Sequence, residues 1–171
     1  MSEFLVPPAS RADIKSLARA VRKKLDLDQE SYFPVVEVIE KVLPFLSSGF
    51  DYEIVEDIDM GRDEANYNPT TNVMKIRNSV YEGACCGNGR DRFTLAHEIG
   101  HFFMHRDVDL ALSRIDERND VPAYRKSEWQ ANTFASALMM PDHIIKNWEP
   151  EEIARFCGAS MSAAEIAYKK R

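Results

Sequence analysis

Two histidines and a glutamate, His97, Glu98 and His101, have the spacing that a metal-dependent hydrolase requires. On a helix, residues four positions apart lie one turn above each other on the same face. His97 and His101 can therefore bind one zinc ion together. Glu98 projects to the side, where it can act as the catalytic base on a water molecule without binding the metal. The spacing therefore predicts a catalytic metal site on this helix.

The residues on either side of this motif predict a largely apolar helix. Asp91 is placed to cap its start, after a predicted loop from Gly83 to Gly89. A buried helix that merely contains two histidines is the alternative. Three of the four histidines of the chain fall between His97 and His105, which favours the metal site. The apolar residues of the helix are Phe93, Leu95, Ala96, Ile99, Phe102 and Phe103.

Glu128 is the best candidate for a third metal ligand. A catalytic zinc usually has three protein ligands and keeps its fourth position open. Glu128, Ala131, Asn132 and Ala135 share one face of a second predicted helix. The alanines would let this helix approach the first one closely, and Asn132 could hydrogen-bond a ligating histidine. Alternatively, Glu128 is only a carboxylate favoured by the dipole at a helix start.

Four other acidic residues could supply the third ligand instead. Asp107 lies where one class of zinc peptidases has its third histidine. That class makes a turn at a glycine, and this chain has Met104 at the glycine position, so the turn is not encoded. The remaining candidates, Asp116, Glu117 and Asp120, lie in a charged stretch that is typical of a solvated loop.

Two blocks of sequence, taken together, resemble the ImmA/IrrE family of zinc metallopeptidases. The first is RFTLAHEIGHFFMH at residues 92–105, and the second is EWQANTFASALMMP at residues 128–141. The resemblance implies zinc as cofactor, His97, His101 and Glu128 as its ligands, and Glu98 as the catalytic residue. It also implies a bacterial or phage protein that cleaves or inactivates a helix-turn-helix transcriptional repressor, or that acts in a toxin–antitoxin-like pair or a stress response.

Other polar residues near the motif have less certain assignments. Asn132 and His105 are candidates for hydrogen-bonding the ligating histidines, although His105 could equally contact substrate or lie in the core. The donor that would stabilise the oxyanion is left open among Tyr124, His105 and His143.

The order of elements predicts an α+β fold, with a single zincin-like domain spanning residues 1–171. N-terminal helices are expected over 10–45, a small three-stranded antiparallel or mixed sheet over 51–78, zinc-site helices over 91–141 and C-terminal helices over 142–171. The predicted strands run from Tyr52 to Glu56, from Ala65 to Asn68 and from Val73 to Arg77.

The third predicted strand could bind substrate. Zinc peptidases can hold substrate as an added strand at a sheet edge. Lys75 and Arg77 are typical of an exposed edge strand. We therefore take pairing of substrate with this strand as a hypothesis, beside the alternative that the two charges only prevent aggregation.

The last helices are similar to a helix-turn-helix, with Gly158 in the turn and Ser160 at the start of the second helix. A DNA-reading helix carries basic or amide side chains early in its length. This one begins Met161-Ser162-Ala163-Ala164-Glu165, which favours a packing role. The net charge of −6 also argues against dedicated nucleic-acid binding.

Composition predicts a soluble cytoplasmic protein. The chain has 171 residues, of which 44% are hydrophobic and 29% charged, and neither a secretory signal nor a membrane span is evident. The three cysteines, two of them adjacent at Cys85 and Cys86, do not form a disulfide framework and suit a reducing compartment.

Two functions compete with a zinc endopeptidase. In one, zinc only stabilises a module that sequesters a repressor or a toxin–antitoxin partner. Glu98 weighs against this, because a structural zinc needs no carboxylate beside it. In the other, the C-terminal helices bind DNA, which would make binding to duplex DNA sensitive to salt.

Overall fold

The computed structural model describes residues 4–106 and 121–171, and it has the predicted α+β architecture. The helix α1 (Arg11–Lys24) is capped by Ser10, whose side-chain oxygen accepts the backbone N–H of Asp13. A composite helix follows Pro34. It consists of α2 (Val35–Glu37), a π-helical segment (Val38–Val42) and α3 (Leu43–Leu46).

The sheet has three strands, β1 (Asp51–Val55), β2 (Ala65–Asn68) and β3 (Val73–Arg77), in the order β1-β3-β2. β3 pairs in parallel with β1 and antiparallel with β2, so the sheet is mixed. The turn between β2 and β3 is closed by the Asn68 side chain, which accepts the N–H groups of Thr70 and Thr71.

The prediction that Val73–Arg77 is an exposed edge strand is wrong, because β3 is the central strand. Met74 and Ile76 are buried, while Lys75 faces solvent. Its Nζ lies 3.4 Å from Oε2 of Glu53 on β1. Alternating burial depends on the two faces of a sheet, so it does not distinguish a central strand from an edge strand.

The loop predicted for Gly83–Gly89 is also largely wrong. The helix α4 (Asn78–Cys85) occupies its first part, and only three residues separate it from α5 (Gly89–His105). Asn88, not Asp91, caps α5, and its side chain accepts the N–H groups of Arg90 and Asp91. The long helix nevertheless carries the His97–His101 motif as predicted.

The second site helix is α6 (Ser127–Met139), which follows a 3-10 turn (Ala123–Arg125) and packs against both α5 and α1. Gly100 allows the close approach to α5. A Cβ at Gly100 would lie 3.2 Å from the Cα of Ala131. The small residues at this crossing therefore bring the backbones of α5 and α6 together.

The chain ends in α7 (Asp142–Ile145), α8 (Pro150–Cys157) and α9 (Met161–Lys170). Gly158 ends α8 with a φ of +62°, and Ser160 caps α9, so the turn between the two helices is the one predicted. None of the described helices has the length and apolar character needed to span a bilayer. The core between the helices and the sheet includes Phe33, Leu43, Met74, Ile76, Leu95, Ile99, Phe134 and Leu138.

Candidate metal centre

The structure brings His97, His101 and Glu128 together where α5 crosses α6. The Nε2 atoms of His97 and His101 lie 3.0 Å apart. Glu128 Oε2 lies 3.1 Å from His97 Nε2, and Glu128 Oε1 lies 3.4 Å from His101 Nε2. One potential ligand atom from each residue therefore falls within 4.8 Å of the others, a spacing at which all three can reach one metal ion.

Asn132 sets the tautomer of His97. It lies one turn after Glu128 on α6, and its Oδ1 is 3.2 Å from His97 Nδ1. An amide oxygen only accepts hydrogen bonds, so His97 Nδ1 must carry the proton. The lone pair of His97 is then on Nε2, the atom that faces His101 and Glu128.

A longer chain of hydrogen bonds sets the tautomer of His101. The side-chain amide of Gln130 donates to the backbone oxygens of Pro7 and Tyr124, at 2.9 and 2.8 Å. Its oxygen is therefore turned toward His105 Nε2, 3.1 Å away, and accepts the proton there.

His105 passes this constraint to His101. Burial lowers the pKa of His105 to about 4, so its ring is neutral, and because Nε2 carries the one proton, Nδ1 carries none. That atom lies 2.9 Å from His101 Nδ1, which must therefore be the donor. His101, like His97, is left with its lone pair on Nε2.

The three groups form a site that a cation would stabilise. In this tautomer the two Nε2 atoms, 3.0 Å apart, repel each other unless a proton or a metal ion lies between them. Burial opposes a proton on His97, but Glu128 and Glu98 raise the pKa of this histidine, so the cluster favours a positive charge. Glu128 Oε1 is buried and has no hydrogen-bond partner among the described residues. Burial opposes the charge of Glu128, but His101 and His97 hold its pKa below the usual range. Two imidazoles and one carboxylate are a donor set that zinc prefers, so the residues fit this metal.

Glu98 lies beside this cluster rather than in it. Its side chain is buried, and the backbone N–H of Tyr67 on β2 donates to its Oε2 at 2.8 Å. Burial raises the pKa of Glu98, which makes the carboxylate a better proton acceptor. Glu98, His97, Glu128 and Ala65 together line a cavity of about 300 Å³, where a water molecule and a substrate carbonyl could meet.

The candidates for the oxyanion donor do not converge on this cavity. His143 lies elsewhere, with its Nε2 2.8 Å from the backbone oxygen of Asp28. Both ring nitrogens of His105 are engaged with His101 and Gln130, so His105 cannot donate to a substrate. Tyr124 lies on the 3-10 turn with a half-exposed side chain. The alternative ligands Asp107, Asp116, Glu117 and Asp120 fall outside the described residues.

Two contributors to the site could not be identified from the sequence. Gln130 is a buried polar residue of α6 that lies between Glu128 and Asn132 in the sequence. Its position on the helix does not indicate which residue it hydrogen-bonds. The N–H of Tyr67 is a backbone group, so its contact with Glu98 depends on the placement of β2 and has no sequence signature.

Comparison with known proteins supports the resemblance noted from the two sequence blocks. The profile of the peptidase family described as the IrrE N-terminal-like domain matches residues 58–168. The radiation response metalloprotease IrrE of Deinococcus deserti is 31% identical over 122 residues, which cover 71% of this chain and 40% of that protein. The protein of the same name from Deinococcus radiodurans is 31% identical over 108 residues, 63% of this chain and 30% of its own length.

The matches define what the similarity covers. This chain spans less than half the length of either curated relative. The matched region begins after β1 and contains β2, β3, the helices from α4 to α8 and most of α9. It therefore includes His97, Glu98, His101 and Glu128. The chain belongs to the IrrE N-terminal-like domain family of peptidases.

Proposed function

We propose that the chain is a zinc-dependent endopeptidase in which His97, His101 and Glu128 hold the metal and Glu98 is the catalytic base. The observation that carries this proposal is the convergence of His97 Nε2, His101 Nε2 and the Glu128 carboxylate beside a separate, buried carboxylate, that of Glu98. A zinc ion bound there would supply a Lewis acid for the scissile carbonyl and would lower the pKa of water.

Glu98 would move the proton in this reaction. Its Oε2 is held by the N–H of Tyr67, which leaves Oε1 to take a proton from the attacking water and to return it to the leaving amine. The raised pKa of Glu98 suits both steps, because the group must accept the proton and then release it near neutral pH. A site that only stabilises the fold would have no use for this carboxylate.

The edge of β2 is the best place for an extended substrate. Among the described strands β2 pairs only with β3, and the N–H of Tyr67 points away from β3 toward Glu98. Since main-chain groups alternate along a strand, the N–H and C=O of Ala65 face the same free edge. Ala65 also lines the cavity that contains Glu98. A structure with a peptide inhibitor that makes no main-chain hydrogen bond to Ala65 would contradict this placement.

The substrate that we propose is a helix-turn-helix transcriptional repressor, as the resemblance to the ImmA/IrrE family implies. We place the reaction in the cytoplasm, where the free thiols of Cys85, Cys86 and Cys157 would stay reduced. Direct binding to nucleic acid is not part of the proposal, since the basic residues of α9 lie in its last turn and not at its start.

Intact-mass spectrometry of a helix-turn-helix repressor from the same genome tests both the proposed peptidase activity and the proposed substrate. Zinc-loaded protein should produce one discrete cut, chelator-treated protein should produce none, and added zinc should restore the cut. A repressor that stays intact in a stable complex with the zinc-loaded protein would instead support the sequestering module. Binding to duplex DNA that weakens steeply with salt would support the DNA-binding alternative.

A further inference from the structure

A second cavity, of about 470 Å³, lies next to the metal centre and is lined by residues of α1, α5, α6 and α9. We call it the α9 cavity. Phe93, Thr94 and Asn132 line both this cavity and the one that contains Glu98, so the two cavities adjoin. Its volume lies in the range of about 300–1,000 Å³ that is usual for ligand sites.

The floor of the α9 cavity is apolar. Five apolar residues line it: Phe93, Trp129, Met140, Ala163 and Ile166. Ile166 is 48% exposed, although it is a large aliphatic residue on a packed helix. An apolar side chain inserted here would remove these surfaces from water, which is favourable at roughly 25 cal/mol per Å².

The rim of the α9 cavity is basic. Arg11, Arg90 and Lys170 line it, and no aspartate or glutamate does so among the described residues. The Arg90 guanidinium lies 2.5 Å from Glu64 Oε1 and is paired with it. Arg11 has no carboxylate partner in the described part of the chain, and its Cζ lies 5.5 Å from the centroid of the Trp129 ring. The whole chain has a net charge of −6, whereas the side chains at the rim of this cavity are positively charged and would attract carboxylates.

We propose that the α9 cavity is a recognition subsite for substrate, which takes an apolar side chain from a segment that carries acidic residues. The inference rests on the proposed function, because the segment in the cavity must be part of the polypeptide whose scissile bond lies beside Glu98. The shared wall of Phe93, Thr94 and Asn132 places the two sites within one extended segment. The basic rim then selects segments with carboxylates next to the apolar residue.

Peptide binding tests the subsite without requiring cleavage. The protein is the zinc-loaded Glu98→Gln variant, and the probes are three fluorescein-labelled eight-residue peptides of alternating composition: glutamate with leucine, lysine with leucine, and glutamate with serine. Fluorescence anisotropy should show that the glutamate–leucine peptide binds at least about tenfold more tightly than either of the others. This preference should shrink as salt is raised, since exposed charges are screened.

A charge-reversal pair locates the binding. Arg11→Glu combined with Lys170→Glu should abolish the preference for the glutamate–leucine peptide, or reverse it toward the lysine–leucine peptide. The matched control, Lys23→Glu with Lys169→Glu, makes the same charge change on the same two helices outside the cavity, and it should keep the preference. Thermal unfolding of both double variants shows that each is folded.

Three results would overturn the subsite. They are equal binding of the acidic and basic peptides, no binding of any peptide, or an equal loss of preference in the cavity variant and its control. A fourth result would also overturn the subsite: if the protein self-associates and only the cavity variant does not, the cavity binds a second copy of this chain. These results differ from a failure of the proposed peptidase function. If only that function is wrong, the protein cleaves no substrate but still prefers the glutamate–leucine peptide, and the cavity variant still loses this preference.

Discussion

At the scale of single residues, the site depends on which ring nitrogen of each histidine carries the proton. His97 and His101 can bind a metal through Nε2 only if both protons are on Nδ1. Asn132 provides this for His97, and the chain through His105 to Gln130 provides it for His101. His105 therefore acts through His101 as a positioning residue and does not reach the substrate.

Replacing Gln130 tests this chain of hydrogen bonds. Gln130→Met keeps the length of the side chain but removes the oxygen that fixes His105, so His101 is free to adopt the wrong tautomer. We expect zinc affinity to fall about 10–100-fold, as measured by competition with a chelating dye. Thr133→Val is the control, because it removes another buried hydrogen bond of α6 that does not reach a histidine. Equal zinc affinity in the Gln130→Met variant and in wild type would rule out the chain.

Residue spacing placed His97 and His101 on one face of a helix and Glu128 on a second helix, and the structure brings these three side chains together. Their role as metal ligands and the catalytic role of Glu98 stay predictions. The cap of α5 was mispredicted, since Asn88 and Asp91 are both good capping residues and only the position of the helix start distinguishes them. Gln130 and the N–H of Tyr67 act through contacts between elements, and local spacing carries no information about those contacts.

At the scale of elements, glycine controls how closely α5 packs. A Cβ at Gly89, the first residue of α5, would lie 2.3 Å from the carbonyl carbon of Ala159 and 2.4 Å from the backbone nitrogen of Ser160. The start of α5 is therefore in contact with the turn between α8 and α9. This contact fixes the C-terminal helices against the helix that carries His97 and His101.

Two matched glycine substitutions test this contact. Gly89→Ala should lower the free energy of unfolding by about 1–3 kcal/mol, because rigid backbone would have to move. Gly83→Ala, in α4, would meet only the carboxylate of Asp91, which can rotate away, and alanine favours the helix. It should therefore be close to neutral. Urea denaturation gives both values, and equal costs at the two positions would show that the contact at Gly89 is unimportant.

Most element types were predictable from sequence, but the end of α4 was predicted as loop and the position of β3 in the sheet was predicted wrongly. The alternation in Val73–Arg77 correctly predicted a strand, and the helix repeat correctly predicted α5, α6 and the final helix pair. The placement of β3 between β1 and β2 depends on which strands pair, and pairing is decided by contacts distant in sequence. The free edge near the metal centre is consequently β2.

At the scale of the whole molecule, two buried arginines connect distant parts of the chain. Arg92 on α5 donates to the backbone oxygens of Phe33 and Cys157, and Arg22 on α1 donates to that of Leu138. Burial lowers the pKa of both guanidinium groups. These contacts hold the N-terminal helices, the metal helix and the C-terminal helices in one arrangement, so binding at the metal centre should stabilise the fold as a whole.

Zinc should therefore raise the melting temperature. At a free zinc concentration of 1,000 times Kd, binding stabilises the folded state by about 4 kcal/mol, which corresponds to a shift on the order of 10 °C for a chain of this size. Scanning calorimetry with chelator and with zinc measures the shift. The His101→Ala variant should show almost none of it, and an equal shift in that variant would place the bound zinc elsewhere.

The central claim, that three side chains hold zinc while Glu98 carries out the proton transfers, is tested most directly by the Glu98→Gln variant. The measurement is the hydrolysis of a peptide library by zinc-loaded wild type and variant, followed by mass spectrometry, with the zinc content of each sample determined alongside. We predict one zinc per chain in both proteins and a rate about 10²–10⁴-fold lower in the variant. Cleavage at the wild-type rate, or loss of zinc from the variant, would contradict the separation of metal binding from catalysis.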